Sequence, residues 1–175
     1  IGLMSIIDKN YINWNCSVQS IRFIQNTIWI RHRNISIDNY DWTMVIENLN
    51  VSSSLNKISD VETLIERVCS SLSVNDDIYG NILISVTEAF NNAVIHGNRN
   101  NETLPVLIDV EQKDNSVFFR VTDSGNGFDY NNLPDPTAPE NIENECGRGI
   151  FLIRNLADAV DFNESGNSIE IGFTL

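Results

Sequence analysis

Two hydrophobic rhythms divide most of the chain. Between Ile58 and Leu72 the apolar residues fall at Ile58, Val61, Leu64, Ile65, Val68, Cys69 and Leu72. That spacing predicts a helix with one buried face. Asn75 and Asp76 are suited to cap a second helix. Its apolar face is Ile78, Ile82, Leu83, Val86, Ala89, Phe90, Ala93 and Val94, and Gly97 is a fitting stop. Glu88, Asn92 and His96 recur every four residues and form a polar stripe away from that face. The rhythm then shortens to two. Val106, Ile108 and Val110 alternate, Lys113-Asp114-Asn115 turns the chain, and Val117, Phe119 and Val121 alternate again. This predicts a hairpin with one buried face.

The flanks are read in the same way. Met44–Glu47 is a short apolar run that predicts an edge strand, and Ser52–Asn56 is polar and turn-like. Residues 131–146, with Pro134, Pro136 and Pro139, lack periodicity and read as a long loop. After Gly147-Arg148-Gly149, a further helix is predicted from Ile150, Phe151, Ile153, Leu156, Ala157 and Val160. Val160 and Phe162 also open a last hairpin, which turns at Glu164-Ser165-Gly166-Asn167 and returns through Ile169, Ile171 and Phe173. The order of elements predicts helices packed on one face of a mixed, mainly antiparallel sheet.

Composition narrows the classes. A chain of 175 residues with 42% hydrophobic and 20% charged residues is long enough for one domain with its own core. No apolar run reaches the roughly 18 residues of a membrane span. The opening apolar stretch is broken at once by Asp8 and Lys9, which argues against a signal peptide. The net charge of -13 argues against a nucleic acid as a direct partner. A free nucleotide is still allowed, because backbone N–H groups and a bound cation dominate locally. Cys16, Cys69 and Cys146 lack metal-ligand spacing, and an odd count suits a reducing cytoplasmic setting. Charge also divides the chain. Residues 1–43 carry net +1 and all three tryptophans, whereas residues 44–175 carry net -14. Residues 1–43 therefore read as an N-terminal extension. It is either upstream sequence outside the native product or an added segment that packs on the domain or a partner. Residues 44–175 read as the patterned domain.

Three short segments carry chemistry. On one helical face, Glu88 is placed to polarise a hydroxyl or water, and Asn92 offers a neutral oxygen to a hard cation such as Mg²⁺. Asp123 ends a predicted strand and opens the loop Asp123-Ser124-Gly125-Asn126-Gly127. A carboxylate there can accept a hydrogen bond from an exocyclic amine, while Gly125 and Gly127 allow close backbone approach to a flat base. Gly147-Arg148-Gly149 precedes a helix, and its N–H groups suit phosphate oxygens. Arg148 either contacts phosphate or faces solvent. His96 either shapes the loop after Asn92 or touches the nucleotide, and Thr137 is a candidate contact to the terminal phosphate. Neither a P-loop nor a dinucleotide fingerprint is present.

Taken together and in this order, the segments resemble a known family. The run from Glu88 through Asn92 to His96-Gly97 resembles the N box of the GHKL (Bergerat) ATP-binding fold shared by gyrase, histidine kinases and MutL. Asp123-Ser-Gly-Asn-Gly127 resembles its first glycine box, and Gly147-Arg-Gly149-Ile-Phe-Leu-Ile its second. The tight Glu-x-x-x-Asn-Ala-x-x-His-Gly form and the stretch Leu133 to Asn141 are most similar to the RsbW/SpoIIAB-type anti-sigma factor serine kinases. The resemblance implies an α/β sandwich with a lid over ATP. It further implies Glu88 as catalytic base, Asn92 as Mg²⁺ ligand and Asp123 as reader of the adenine amine. Gly125 and Gly127 would line the base pocket, and Gly147 and Gly149 would lie under the phosphates. Implied partners are a STAS-type anti-sigma factor antagonist, phosphorylated on serine, an alternative sigma factor, and a second copy of the chain. The alternative is an ATP-gated protein-binding regulator without kinase activity. An autophosphorylating histidine kinase fits poorly, because His32 and His96 are the only histidines and His32 lies in no clear dimerising helix pair.

Overall fold

The structure, a computed structural model, describes residues 23–24, 27–28, 43–130 and 147–175. The chain divides into two compact units, Ile1–Tyr40 and Asp41–Leu175. In the first, the described residues form an antiparallel pair of two-residue strands, β1 (Phe23–Ile24) and β2 (Thr27–Ile28).

The second unit holds an antiparallel five-stranded sheet. Its strands are β3 (Thr43–Ser52), β4 (Pro105–Lys113), β5 (Ser116–Thr122), β6 (Ala159–Phe162) and β7 (Ser168–Thr174). They lie in the order β3-β4-β5-β7-β6, and every neighbouring pair is antiparallel. Among the described residues three α-helices, α1 (Ile58–Ser71), α2 (Asp76–Asn92) and α3 (Arg148–Leu156), accompany the sheet. The core is the meeting of one sheet face with the helices. From the sheet come Val106, Ile108, Val117, Phe119 and Ile171, and from the helices Leu64, Ile65, Val86, Phe90 and Ile153. Helices against one face of an open antiparallel sheet are the architecture expected.

Local chemistry accounts for the elements. Asn75 caps α2, its side chain accepting from the Ile78 N–H at 2.9 Å. Strict alternation buries Val117, Phe119 and Val121 of β5 and turns Phe118 and Arg120 to the other face. There Arg120 is paired with Glu170 and Glu111. Asp114, in the left-handed region at φ 52°, makes the β4–β5 turn.

Some boundaries differ from expectation. The first strand of this sheet runs to Ser52 rather than Glu47. Its second half runs Asn48, Leu49, Asn50, Val51, the polar-apolar alternation of an edge strand with one solvated face. A short 3₁₀ turn at Leu55–Lys57 follows. The third helix ends at Leu156, with Ala157 already extended, so Val160 belongs to β6 alone. Phe151, read as part of that helix's apolar face, is exposed.

Candidate functional site

The site is built around the C-terminal end of α2. After Asn92 the helix widens into one π turn, Ala93–Gly97. The turn is closed by the Asn98 N–H to the Ala93 carbonyl at 2.8 Å, and the Asn100 N–H reaches the Val94 carbonyl at 2.8 Å. Arg99 and Asn100 then take left-handed conformations, at φ 52° and 57°. This conformation costs Arg99 about 1–2 kcal/mol, whereas asparagine adopts it readily. Insertions of this kind cluster at functional positions.

Glu88 and Asn92 lie on the side of α2 that receives α3. Gly149, in the first turn of α3, is seated directly on them. A Cβ at this position would overlap the Glu88 carboxylate and come within 3.0 Å of Asn92 Nδ2. Asn92 Nδ2 is shut off from solvent and has no hydrogen-bond partner among the described residues. An orphaned buried amide costs about 1–3 kcal/mol. Gly147, at φ 87°, is the N-cap of α3 and supplies no side-chain cap. The first turn of α3 thus lies beside Glu88 and Asn92, a setting that favours an anion. Arg148 begins the helix and is exposed.

The second half of the site is the loop after β5. The Asp123 carboxylate rests against Gly97, where a Cβ would collide with it, and accepts the Gly125 N–H at 2.7 Å. Burial raises the Asp123 pKa above its ordinary value, and the Gly125 N–H offsets part of that rise. Gly127, at φ 73°, lies under the β6–β7 turn, so that a side chain there would strike the Ser165 carbonyl. The loop leaves through an aromatic cluster, with Tyr130 stacked on Phe162 at 4.7 Å and Phe128 edge-on to Phe162 at 5.7 Å. A cleft of about 330 Å³ separates the π turn from this loop, lined by His96, Gly97, Arg99, Gly125, Asn126 and Gly127 among others.

The residues singled out in the sequence therefore form two groups on one helix end. Glu88, Asn92 and Gly149 meet on one side; Asp123 and Gly125 meet Gly97 on the other. His96 is exposed, and the π turn brings it to the cleft with Gly125 and Gly127. Thr137, with the expected loop 131–146, lies outside the described residues. Two asparagines were not singled out. Asn98 and Asn167 hold the backbone around Asp123, Asn98 through Ser124 and Asn167 through Asp123 itself. Asn167 was legible only as a turn residue, and Asn98 left no signal, since two of its three side-chain partners are distant in sequence. Cys69, the free cysteine of the described residues, is buried in the core, which pushes its thiol up to about 11. No cluster of metal-binding side chains occurs among the described residues.

An antiparallel sheet backed by helices, with a glycine-bounded site at the end of α2, defines an ATPase-type domain. Residues 51–173 match the family described as histidine kinase-like ATPase domain, and the chain belongs to that family. Within it the chain is related to the RsbW/SpoIIAB anti-sigma factor kinases. The serine-protein kinases RsbW of Staphylococcus aureus strains JH9 and Newman are each 30% identical to it over 131 residues. The match covers 70% of this chain and 82% of each relative. In fold the chain is similar to the crystal structure of the RsbU and RsbW domains of a Mycobacterium tuberculosis protein, with a TM-score of 0.51 at 14% identity. That match covers 74% of this chain and 32% of the other, so this chain spans about a third of that structure's length. No described helix is long and apolar enough to cross a membrane.

Proposed function

We propose that the protein is an ATP-dependent serine-protein kinase and anti-sigma factor. It phosphorylates a STAS-type anti-sigma factor antagonist, sequesters an alternative sigma factor, and acts in the cytoplasm as a homodimer. The observation that carries the kinase reading is the seating of Gly149 on Glu88 and Asn92. It sets a carboxylate, a buried amide and a glycine-led helix N-terminus at one point.

In this reading Asp123 accepts the adenine amine, beside the close-packed backbone of Gly97 and Gly125. Gly147, Arg148 and Gly149 receive the phosphates, with the N–H groups of α3 carrying the charge. Thr137 contacts the terminal phosphate and His96 borders the nucleotide. The orphaned Asn92 amide fits a Mg²⁺–phosphate pair, since its oxygen suits a hard cation and its N–H suits a phosphate oxygen. Bound Mg²⁺ would neutralise charge on the triphosphate. Glu88 takes the proton of the acceptor serine as the serine oxygen bonds to the γ-phosphorus and the bond to the β-phosphate oxygen breaks, releasing ADP.

The test is transfer of label from γ-labelled Mg-ATP to a STAS-type protein, comparing wild type with Glu88→Gln. Removal of a general base costs about 10²–10⁴-fold. Label should therefore reach a partner serine with wild type and fall by that factor in the variant, while ATP binding persists. Bound ATP with no label on any STAS partner would instead indicate the ATP-gated regulator without kinase activity.

A further inference from the structure

Asp123 is positioned by its neighbours, and one of them does more than cap a helix. Asn98 follows the π turn and is 3% exposed. None of its side-chain hydrogen bonds returns to its own helix. Its amide nitrogen donates to Ser53 Oγ at 2.6 Å and to the Pro105 carbonyl at 2.9 Å. Its oxygen accepts the Ser124 N–H at 2.8 Å. One side chain thus joins the residue that follows β3, the first residue of β4, and the peptide that follows Asp123. Ser53 extends the connection by donating to the Leu104 carbonyl at 3.0 Å.

The chemistry leaves little choice of residue. The position needs two donors and one acceptor on a short planar group, all buried. Aspartate has no donor, serine is too short for three partners, and glutamine is longer by one methylene. Asn98 also follows Gly97, the residue against which the Asp123 carboxylate is packed. It therefore ties together the wall of the pocket and the peptide that carries the reading group. From the opposite side Asn167 fixes Asp123 itself: its carbonyl accepts the Asp123 N–H and its side chain donates to the Asp123 carbonyl, both at 3.0 Å.

We infer that Asn98 is a positioning residue for nucleotide selection, holding the Asp123–Ser124 peptide in place before any nucleotide arrives. The inference rests on the reading of Asp123 as the adenine-binding carboxylate. Its consequence is preorganisation, because a loop already ordered does not lose that freedom on binding. It also bears on selectivity. A carboxylate held at one point accepts from the adenine amine and repels the carbonyl that guanine carries in the same place, whereas a loose one discriminates less.

The test uses the full chain, with Ser53→Ala as a control for stability alone. That variant removes one bond to Asn98 but leaves its bond to Ser124. Amide hydrogen exchange over residues 123–127 is measured without nucleotide, and dissociation constants are measured for Mg-ATP and Mg-GTP. Asn98→Ala is expected to speed exchange in the loop about tenfold or more. It should weaken ATP about tenfold and narrow the ATP-over-GTP ratio, as expected when binding must also order the loop. Ser53→Ala should lower the melting temperature yet keep wild-type loop exchange and nucleotide preference. If Asn98→Ala does not fold, Asn98→Ser takes its place with the same expectation. Loop exchange and nucleotide preference unchanged in the Asn98 variant would overturn the inference. A wild type that binds no ATP would refute the adenine reading instead, and loop exchange would still judge the brace.

Discussion

Asp123 is pulled in two directions. Burial disfavours its charge, while the Gly125 N–H favours it, and the net effect is a raised pKa. An ionised Asp123 is the form that accepts a hydrogen bond from an amine. ATP affinity should therefore fall as pH drops through the raised pKa, beginning above the 3.8 of an ordinary aspartate. Stability of the nucleotide-free protein runs the other way. The native state holds the Asp123 proton more tightly than the unfolded chain, so the stability linked to that proton is lost as pH rises through the folded pKa. Asp123→Asn removes the ionisation. It should weaken ATP about 10- to 100-fold, the scale of a hydrogen bond to a charged group. It should also flatten the Asp123 contribution to stability on the acid side. Titration calorimetry and thermal melts over roughly pH 4 to 7 check both signs. Affinity that is level across that range would remove Asp123 from the binding role. Asp123 stands out in the sequence because a carboxylate at a strand end is followed by glycines, a pattern that also suits an ordinary turn. Asn98 is illegible for the opposite reason. Two of its three side-chain partners, Ser53 and Ser124, stand 45 and 26 residues away, and only the fold brings them together.

At the scale of elements, the decisive contact is α3 on α2. Gly149→Ala opposes two effects there. Alanine favours a helix over glycine by about 1 kcal/mol, while overpacking typically costs about 1–3 kcal/mol. The net change in stability should be small, within about 2 kcal/mol. The Cβ, however, must displace either the Glu88 carboxylate or the start of α3. A misplacement of about 1 Å at the reacting groups is enough for a 10²-fold loss. Phosphoryl transfer should thus fall about that far while the melting temperature shifts by no more than about 10 °C, and transfer at the wild-type rate would show that Gly149 and Glu88 do not act together. Helix α1 illustrates what periodicity can deliver. Val61, Leu64, Ile65, Val68 and Cys69 are all buried, as their spacing requires. The π turn after Asn92 escapes the same reasoning, since a widened turn disturbs the hydrophobic period only at its end. Phe151 escapes it too. It belongs to the expected stripe by composition, yet faces outward because Ile150 and Ile153 already fill the contact with the core.

For the molecule as a whole, the open matter is how much of the chain the site needs. Every described core residue lies between Val51 and Phe173, nearly the same span as the family match. The compact unit Asp41–Leu175 begins close to Met44, where patterned sequence starts, and the charge balance changes sign at the same place. Both catalytic and nucleotide-reading groups of the proposed site fall within it. A fragment of residues 41–175 is accordingly expected to fold with a cooperative thermal transition and to bind Mg-ATP within about twofold of the full chain. That factor corresponds to less than about 0.5 kcal/mol, smaller than the loss of one typical hydrogen bond to a charged group. Titration and melting of the fragment beside the full chain provide the check. Equal affinity would make residues 1–40 dispensable to the pocket and leave them to partner binding or to none. A tenfold loss, or a broad non-cooperative melt, would mean that residues 1–40 stabilise the ATPase domain.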